Sequence, residues 1–216
     1  MNLNDVKHLT IDGKSAVRLS VGDNVLWKGL PEGYPRLGYI ESTGNSYIDT
    51  GFCPTSDTRV VCEFMHTSTL STVNSIYGGR RSIEKDNFSF RVSANRWQPC
   101  YNNEYSTFTD VPVDKEWHTA DQNKNNFCLD GVLRNTCTYA EFTSPVPLTI
   151  GSIKGNAGMY DGYARFRYFR IYDNGVLVRD FIPCKNADGE IGMYDTLNAV
   201  FYGNAGSGEF VAGEAV

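Results

Sequence analysis

The chain has little of what marks a membrane protein, a zinc protein or a nucleic-acid binder. Only 3 of its 216 residues are histidine, and none of its 6 cysteines stands in Cys-x-x-Cys spacing with another, so the ligand pattern of a structural zinc site is missing. No apolar run approaches the roughly 20 residues that a spanning helix needs. The opening MNLNDVKHLT is polar where a secretory leader carries an apolar core. Lysine and arginine total 20 against 25 acidic residues, for a formal net charge of −5. The basic stripe of a nucleic-acid binder is therefore not expected, nor is insertion into a membrane. There is no Gly-x-Ser-x-Gly elbow, no His-Glu-x-x-His helix, no heptad and no repeat of fixed period. These absences lead us to expect synthesis in a reducing cytoplasm without a signal peptide. Cys53, Cys62, Cys100, Cys128, Cys137 and Cys184 are then expected to be free thiols, mostly buried.

What is present is strand and turn. Tyr (13) and Phe (12) are plentiful and suit half-buried pleated surfaces. Arg59 to Met65 reads as a strand. In Phe88 to Val92, Phe88 and Phe90 alternate against Ser89 and Arg91. Phe169 to Tyr172 runs into Asp173-Asn174-Gly175, and Asn-Gly between apolar runs is the strongest short hairpin signal because both central residues need φ > 0. Val176 to Ile182 returns as the partner strand, and Pro183 is expected to end it for want of an N–H. Further strands are expected at Ile191 to Tyr194, Val200 to Tyr202 and Glu209 to Val211, separated by polar and glycine-rich turns. Arg165, Arg167 and Arg170 alternate along one strand as a solvated sheet face. Many short strands with frequent turn signals predict an all-β sandwich, and the length is enough for one large core. Residues 1–28 are predicted as a small β-meander, with strands near Leu9-Ile11, Val17 to Val21 and Val25 to Trp27. It is too small to stand alone, which makes it a candidate assembly or attachment element. Residues 29–35 read as a linker and 36–216 as the sandwich.

Three stretches carry a resemblance. They are LPEGYPRLGYIESTGNSYIDTGF at 30–52, WHTADQNKNNFCLDG at 117–131, and the C-terminal run containing IYDNGVLVRDFIPC, DGEIGMYD and FYGNAGSGEF between 171 and 210. They resemble concanavalin A-like, LamG-type jelly-roll domains of phage and prophage tail proteins of gut bacteria. Residues 65–110 match little. The resemblance implies a concanavalin A-like jelly-roll β-sandwich and a tail-associated structural protein of the virion. It also implies recognition of bacterial surface polysaccharide without turnover, with other tail or baseplate proteins and further copies of the chain as partners. A virion protein freed by lysis reaches the exterior without a leader. Such domains sometimes hold Ca²⁺ at the sandwich rim; Asn156, Asp161, Asp188 and Glu190 could supply some oxygens but no complete site, so no cofactor is expected.

For chemistry, the carboxylate-pair strand Glu-x-Asp-x-x-Glu of laminarinase-type enzymes is missing. Retaining hydrolysis needs carboxyl groups about 5–5.5 Å apart. His118 beside Trp117 has the makings of a general base, but a Trp-His strand start is a structural element of the resembled domains. The candidate glycan site is instead the aromatic and amide-rich segment 91–108. Trp97, Tyr101, Asn102, Asn103 and Tyr105 with Arg96 offer rings for sugar C–H faces and planar groups for hydroxyls. Arg80, beside Tyr77, Arg81 and the Gly78-Gly79 turn, is a second element. The competing reading fills the core with these aromatics, and burial of Trp97, Tyr101 and Tyr105 decides between the two. A ligand-free decoration protein and a glycan-degrading enzyme remain as alternatives.

Overall fold

A computed structural model describes residues 29–68 and 73–216, together with the backbone of residues 10–11, 14–15, 18–21 and 24–28. Among the described residues there is no helix. In the N-terminal segment, β1 (Thr10–Ile11) pairs with β2 (Lys14–Ser15), and β3 (Arg18–Val21) with β4 (Asn24–Lys28). The described backbone of the predicted meander thus forms two two-stranded ladders, and the residues at 12–13, 16–17 and 22–23 lie outside the described residues.

The next strands are β5 (Ile40–Gly44), β6 (Ile48–Asp49), β7 (Thr58–His66), β8 (Asn74–Ser82), β9 (Lys85–Ser93), β10 (Arg96–Asn102) and β11 (Glu104–Tyr105). They are followed by β12 (Trp117–Asn123), β13 (Asn126–Leu129), β14 (Val132–Thr136), β15 (Thr149–Ile150), β16 (Ser152–Gly155) and β17 (Gly158–Asp173). The chain closes with β18 (Val176–Lys185), β19 (Ile191–Asp195), β20 (Val200–Tyr202) and β21 (Val211–Ala212). The first sheet runs β14-β13-β12-β7-β17. Beyond β17 lie β5 and β21 at one end and β18-β19-β20 at the other. The second sheet contains β11-β10-β9-β8, with β15 and β16 beside β8.

Strand β17 joins the two. Its first residues pair with β16, and from Gly162 onward it pairs with β5 and β7. At the crossing a Cβ on Gly162 would lie 2.3 Å from the carbonyl oxygens of Gly151 and Ser75, so only glycine lets the two backbones approach.

Alternation of side chains along a strand puts one apolar row of each sheet into a shared core. In β7, Thr58, Val60, Cys62, Phe64 and His66 are buried while the residues between them are not. Strand β17 faces Ala164 and Phe166 inward, then Phe169 and Ile171, because a bulge at Arg167 breaks the register between Phe166 and Tyr168. Such a bulge re-aims the residues beyond it and leaves Arg167 and Tyr168 together on the outside. From the second sheet come Tyr77, Phe88, Phe90, Val92, Trp97 and Tyr101. Phe90 lies 4.6 Å from Phe127, 5.5 Å from Phe64 and 5.7 Å from Trp97 between ring centroids, within the range of favourable aromatic pairs.

The predicted hairpin forms: Asn174 and Gly175 have φ of 46° and 79°, and Asp173 pairs with Val176. Pro183 does not end its strand, which continues to Lys185. Its carbonyl accepts from Leu37 N–H at 3.0 Å. A residue's N–H and C=O point to the same side of an extended strand, so the missing donor faces only the short Arg36-Leu37 segment, an edge position where proline is tolerated. The predicted linker is partly built into the domain. Pro35 C=O accepts from Lys185 N–H, and Tyr34 packs edge-on against Tyr194 and Phe201.

The six cysteines are free thiols, with Cys62, Cys100, Cys137 and Cys184 buried. Burial raises the Cys184 pKa to about 12.

Candidate functional site

Strand parity divides the predicted glycan segment between two faces. Trp97 and Tyr101 are 0% and 1% exposed and lie on the inner face of β10. Trp97 Nε1 donates to Pro112 C=O at 3.2 Å. The Tyr101 hydroxyl sits 3.2 and 3.1 Å from the carbonyl oxygens of Ser56 and Ala140, and burial raises its pKa to about 12. Both polar tips are satisfied inside the protein and neither ring can meet a ligand. A platform built on Trp97 and Tyr101 is therefore corrected: these rings are core. Phe108 is buried beside Trp97. Tyr77 is core too and donates to Gln122 Oε1 at 2.9 Å.

The other predicted residues lie elsewhere. Arg96 and Asn102 have the opposite parity on β10, and Tyr105 is register partner to Cys100 of the same outer row. Arg80 pairs with Asn87, which faces outward because Phe88 and Phe90 face in. The second sheet thus brings Arg80, Arg96, Asn102 and Tyr105 to its outer face, with Asn103 exposed at the β10–β11 turn. Tyr105 is 52% exposed. Asn102 takes φ of 52°, and its side-chain oxygen accepts from Asp86 N–H.

Between these residues run Asn87, Ser89 and Arg91 of β9 and Gln98 and Cys100 of β10, which composition alone does not mark as site residues. The signal was in the sequence: residues that alternate with Phe88, Phe90 and Val92 must share the other face. Ser89 Oγ donates to Asn87 Oδ1 at 2.7 Å, and Arg91 Nε to Gln98 Oε1 at 2.5 Å. Arg80 is only 3% exposed and lies 4.2 Å over the ring of Tyr160, a residue 40% exposed at the border of this face. Its Nη1 is buried without an acceptor. A cation–π contact returns about 0.5–2 kcal/mol, less than the several kcal/mol of desolvating a guanidinium. Among the described residues, no carboxylate lies within ion-pair distance of Arg80, Arg91 or Arg96. Asp86, at the margin, is held by Arg81 at 2.6 Å. Burial raises the Cys100 thiol pKa, and the charges of Arg91 and Arg80 oppose that shift. Both guanidinium groups therefore act at the centre of the row.

The outer face of the first sheet is of another kind. A groove of about 560 Å³ is lined by Tyr39, Trp117, Tyr168, Arg165, Arg167 and Glu63, among others. Arg167 lies 3.9 Å over Trp117 and reaches Glu63 at 2.6 Å; Arg165 lies 4.7 Å over Tyr39 and reaches Glu41 at 2.8 Å. Arg59 and Arg170 repeat the pattern with Tyr172 and Asp121, and with Tyr168 and Asp180. Every arginine in this row is stacked and neutralised.

His118 is not poised as a general base. It is buried, with Nδ1 2.7 Å from Asp130 and Nε2 2.8 Å from Asp114. Burial disfavours its charged form, but the two carboxylates outweigh burial and raise its pKa. With both nitrogens taken, the ring clamps the β12–β13 hairpin to the preceding loop. His66, buried at the end of β7, has its pKa lowered to about 4 by burial and by Lys115. Among the described residues no group of three or more His, Cys, Asp or Glu could hold a metal ion, and no helix is long and apolar enough to cross a membrane.

No protein-family model and no curated protein sequence matches this chain. Solved structures do. A protein of Bacteroides ovatus ATCC 8483 to which carbohydrate binding has been attributed aligns over 90% of this chain, with a TM-score of 0.54 and 11% identity. The match covers 65% of that structure, so this chain spans somewhat under two thirds of its length. Domains LG4-5 of the mouse laminin α1 chain align over 69% of this chain and 44% of their own, with a TM-score of 0.40 and 13% identity. The fold is an all-β, jelly-roll β-sandwich, as the sequence predicts.

Proposed function

We propose that this chain is a non-catalytic carbohydrate-binding module whose ligand lies on the outer face of the second sheet. The observation that carries the reading is the row Arg80, Arg91, Gln98 and Asn102. It places planar amides and guanidinium groups side by side on rigid strands, between the exposed rings of Tyr105 and Tyr160. Planar donor groups suit vicinal hydroxyls and carboxylates, and tyrosine rings suit sugar C–H faces. The fold is shared with a protein to which carbohydrate binding has been attributed. Of the acids that border the row, Asp86 is tied to Arg81 and Glu104 accepts from Thr138 N–H at 2.9 Å, so neither is the free member of a carboxylate pair of the kind retaining hydrolysis needs.

In this reading the glycan is a bacterial surface polysaccharide, and the chain belongs to a phage or prophage tail, made in the bacterial cytoplasm and released by lysis. Its support is the resemblance carried by residues 30–52, 117–131 and 171–210. Residues 1–28 then serve assembly with tail or baseplate proteins, and a homo-oligomer presents several weak sites at once, which multiplies avidity. A glycan array probed with the purified chain, with and without calcium, tests the binding reading. Saturable signals from bacterial polysaccharides support it. A blank array, repeated with the chain made multivalent on beads, refutes it and leaves a ligand-free structural protein. Light scattering of a chain lacking residues 1–28 tests the assembly role, which an unchanged number of subunits contradicts.

A further inference from the structure

Resting on the carbohydrate reading, we infer that the ligand is an acidic saccharide, and that Arg80 and Arg91, with Arg96 at the margin, bind its carboxylate or sulfate groups. The inference starts from an imbalance of charge. The chain as a whole carries a formal charge of −5, yet the outer row of the second sheet gathers three arginines and, among the described residues, no carboxylate to pair with them. Two of the three are more than nine-tenths buried. A buried charge is costly unless it is paired and hydrogen-bonded, and the first sheet shows how this protein pairs its arginines when they serve structure alone.

The donors left over are specific. Arg91 gives Nε to Gln98, and its terminal nitrogens have no protein acceptor among the described residues. Arg80 is oriented by the ring of Tyr160, and its Nη1 has no acceptor among the described residues. A guanidinium held flat with free N–H groups is the group that recognises a planar carboxylate or a sulfate bidentately. Arg80 is opposite Asn87 and Arg91 lies four residues further along β9. Their backbones are therefore about 13 Å apart at about 3.3 Å per residue, a spacing that addresses acidic groups on different sugar units. Gln98 fixes the plane of the Arg91 guanidinium, while Ser89 and Asn87 are fully buried and bonded to one another, so they support the row and do not meet the sugar.

The test uses the whole chain and four defined probes: a galacturonic acid oligomer, its methyl ester, a sulfated dextran oligomer and the unsulfated dextran. Affinities are measured by calorimetry at low and physiological salt, with thermal melts of the unliganded proteins alongside. We expect one of the two acidic probes to bind, its neutral counterpart to bind at least about ten-fold more weakly (about 1.4 kcal/mol), and binding to weaken with salt. Which acidic probe binds separates a carboxylate from a sulfate ester. Arg80→Met and Arg91→Met should each lose that preference while melting no lower than the parent chain, because each removes an unpaired buried charge. Arg91→Gln is a second variant should Arg91→Met fold poorly. Neutral and acidic probes bound equally, with the Met variants unaffected, would overturn the acidic ligand and leave the carbohydrate reading intact. Glycan-array signals confined to neutral sugars would do the same. If no saccharide binds here or on the array, the carbohydrate reading itself fails. Variants that melt well below the parent, with no acidic preference in the parent, would make Arg80 and Arg91 structural.

Discussion

Arg167 lies 3.9 Å above the ring of Trp117 and Arg80 lies 4.2 Å above the ring of Tyr160, yet the two stacks have different company. Arg167 continues to Glu63, and each arginine in its row is likewise matched by Glu41, Asp121 or Asp180. The stack at Arg80 ends at the ring, and Arg91 nearby ends at Gln98. Among the described residues, the stacked arginine row of the first sheet is paired and half-exposed, whereas Arg80 and Arg91 of the second sheet are unpaired and buried. The second row therefore has guanidinium donors left over. A surface rich in aromatic rings and arginines, with a groove beside it, is the more conspicuous of the two, but its groups are already spent on one another.

The largest expected effect strikes the core that both faces share. Trp97→Ala should cost about 3–5 kcal/mol, read as a shifted midpoint in urea. A loss below about 1 kcal/mol would mean the ring is not packed as described and would return it to the list of ligand contacts. Next comes the His118 clamp. Its pKa is raised on folding, so the charged ring's contribution is fully present below the unfolded value near 6.5 and is lost as pH rises through the folded value. His66 has the opposite sign. Its pKa is lowered to about 4, so stability falls with pH between about 6.5 and 4 as the unfolded chain takes up the proton first. Stability measured against pH should therefore pass through a maximum near neutrality. His118→Gln should flatten its alkaline side, and a profile unchanged by that substitution would count against the clamp.

Smaller effects discriminate the two faces directly. Arg80→Met should leave the melting temperature unchanged or raise it by the equivalent of about 1 kcal/mol, as replacing buried charge by apolar volume often does. Glu63→Gln on the first sheet should lower stability by no more than about 1 kcal/mol, since its ion pair with Arg167 is solvent-screened. If the signs are reversed, the division into a paired and an unpaired row is wrong.

Much of this was legible in the sequence. Asn174-Gly175, the alternation of Arg59 to Met65 and the strands after Asp188 are local patterns, and local patterns survive into the fold. Pro183 breaks the local rule because its effect depends on which neighbour stands beside that side of the strand, and the neighbour, Arg36-Leu37, is distant in sequence. The same limit governed the site. Trp97 and Tyr101 suggested a platform by composition, but parity against Phe88 and Phe90 puts them inside. Parity also puts Arg96 and Asn102 outside, and it was available before the fold was known. Arg80 joins them through a pairing with Asn87 that composition does not reveal. The missing carboxylates could not be foreseen at all, because the chain is acidic overall and only the fold shows where its acids are absent.

The most direct test is the map of amide chemical-shift changes on the isotopically labelled chain as a bound glycan is titrated in. We predict that the perturbed signals lie on β8, β9 and β10, with Arg80, Arg91, Gln98 and Asn102 among them, while Trp117, Arg165 and Arg167 stay in place. Changes centred on Trp117 and Arg165 instead would put the ligand on the first sheet and contradict the account.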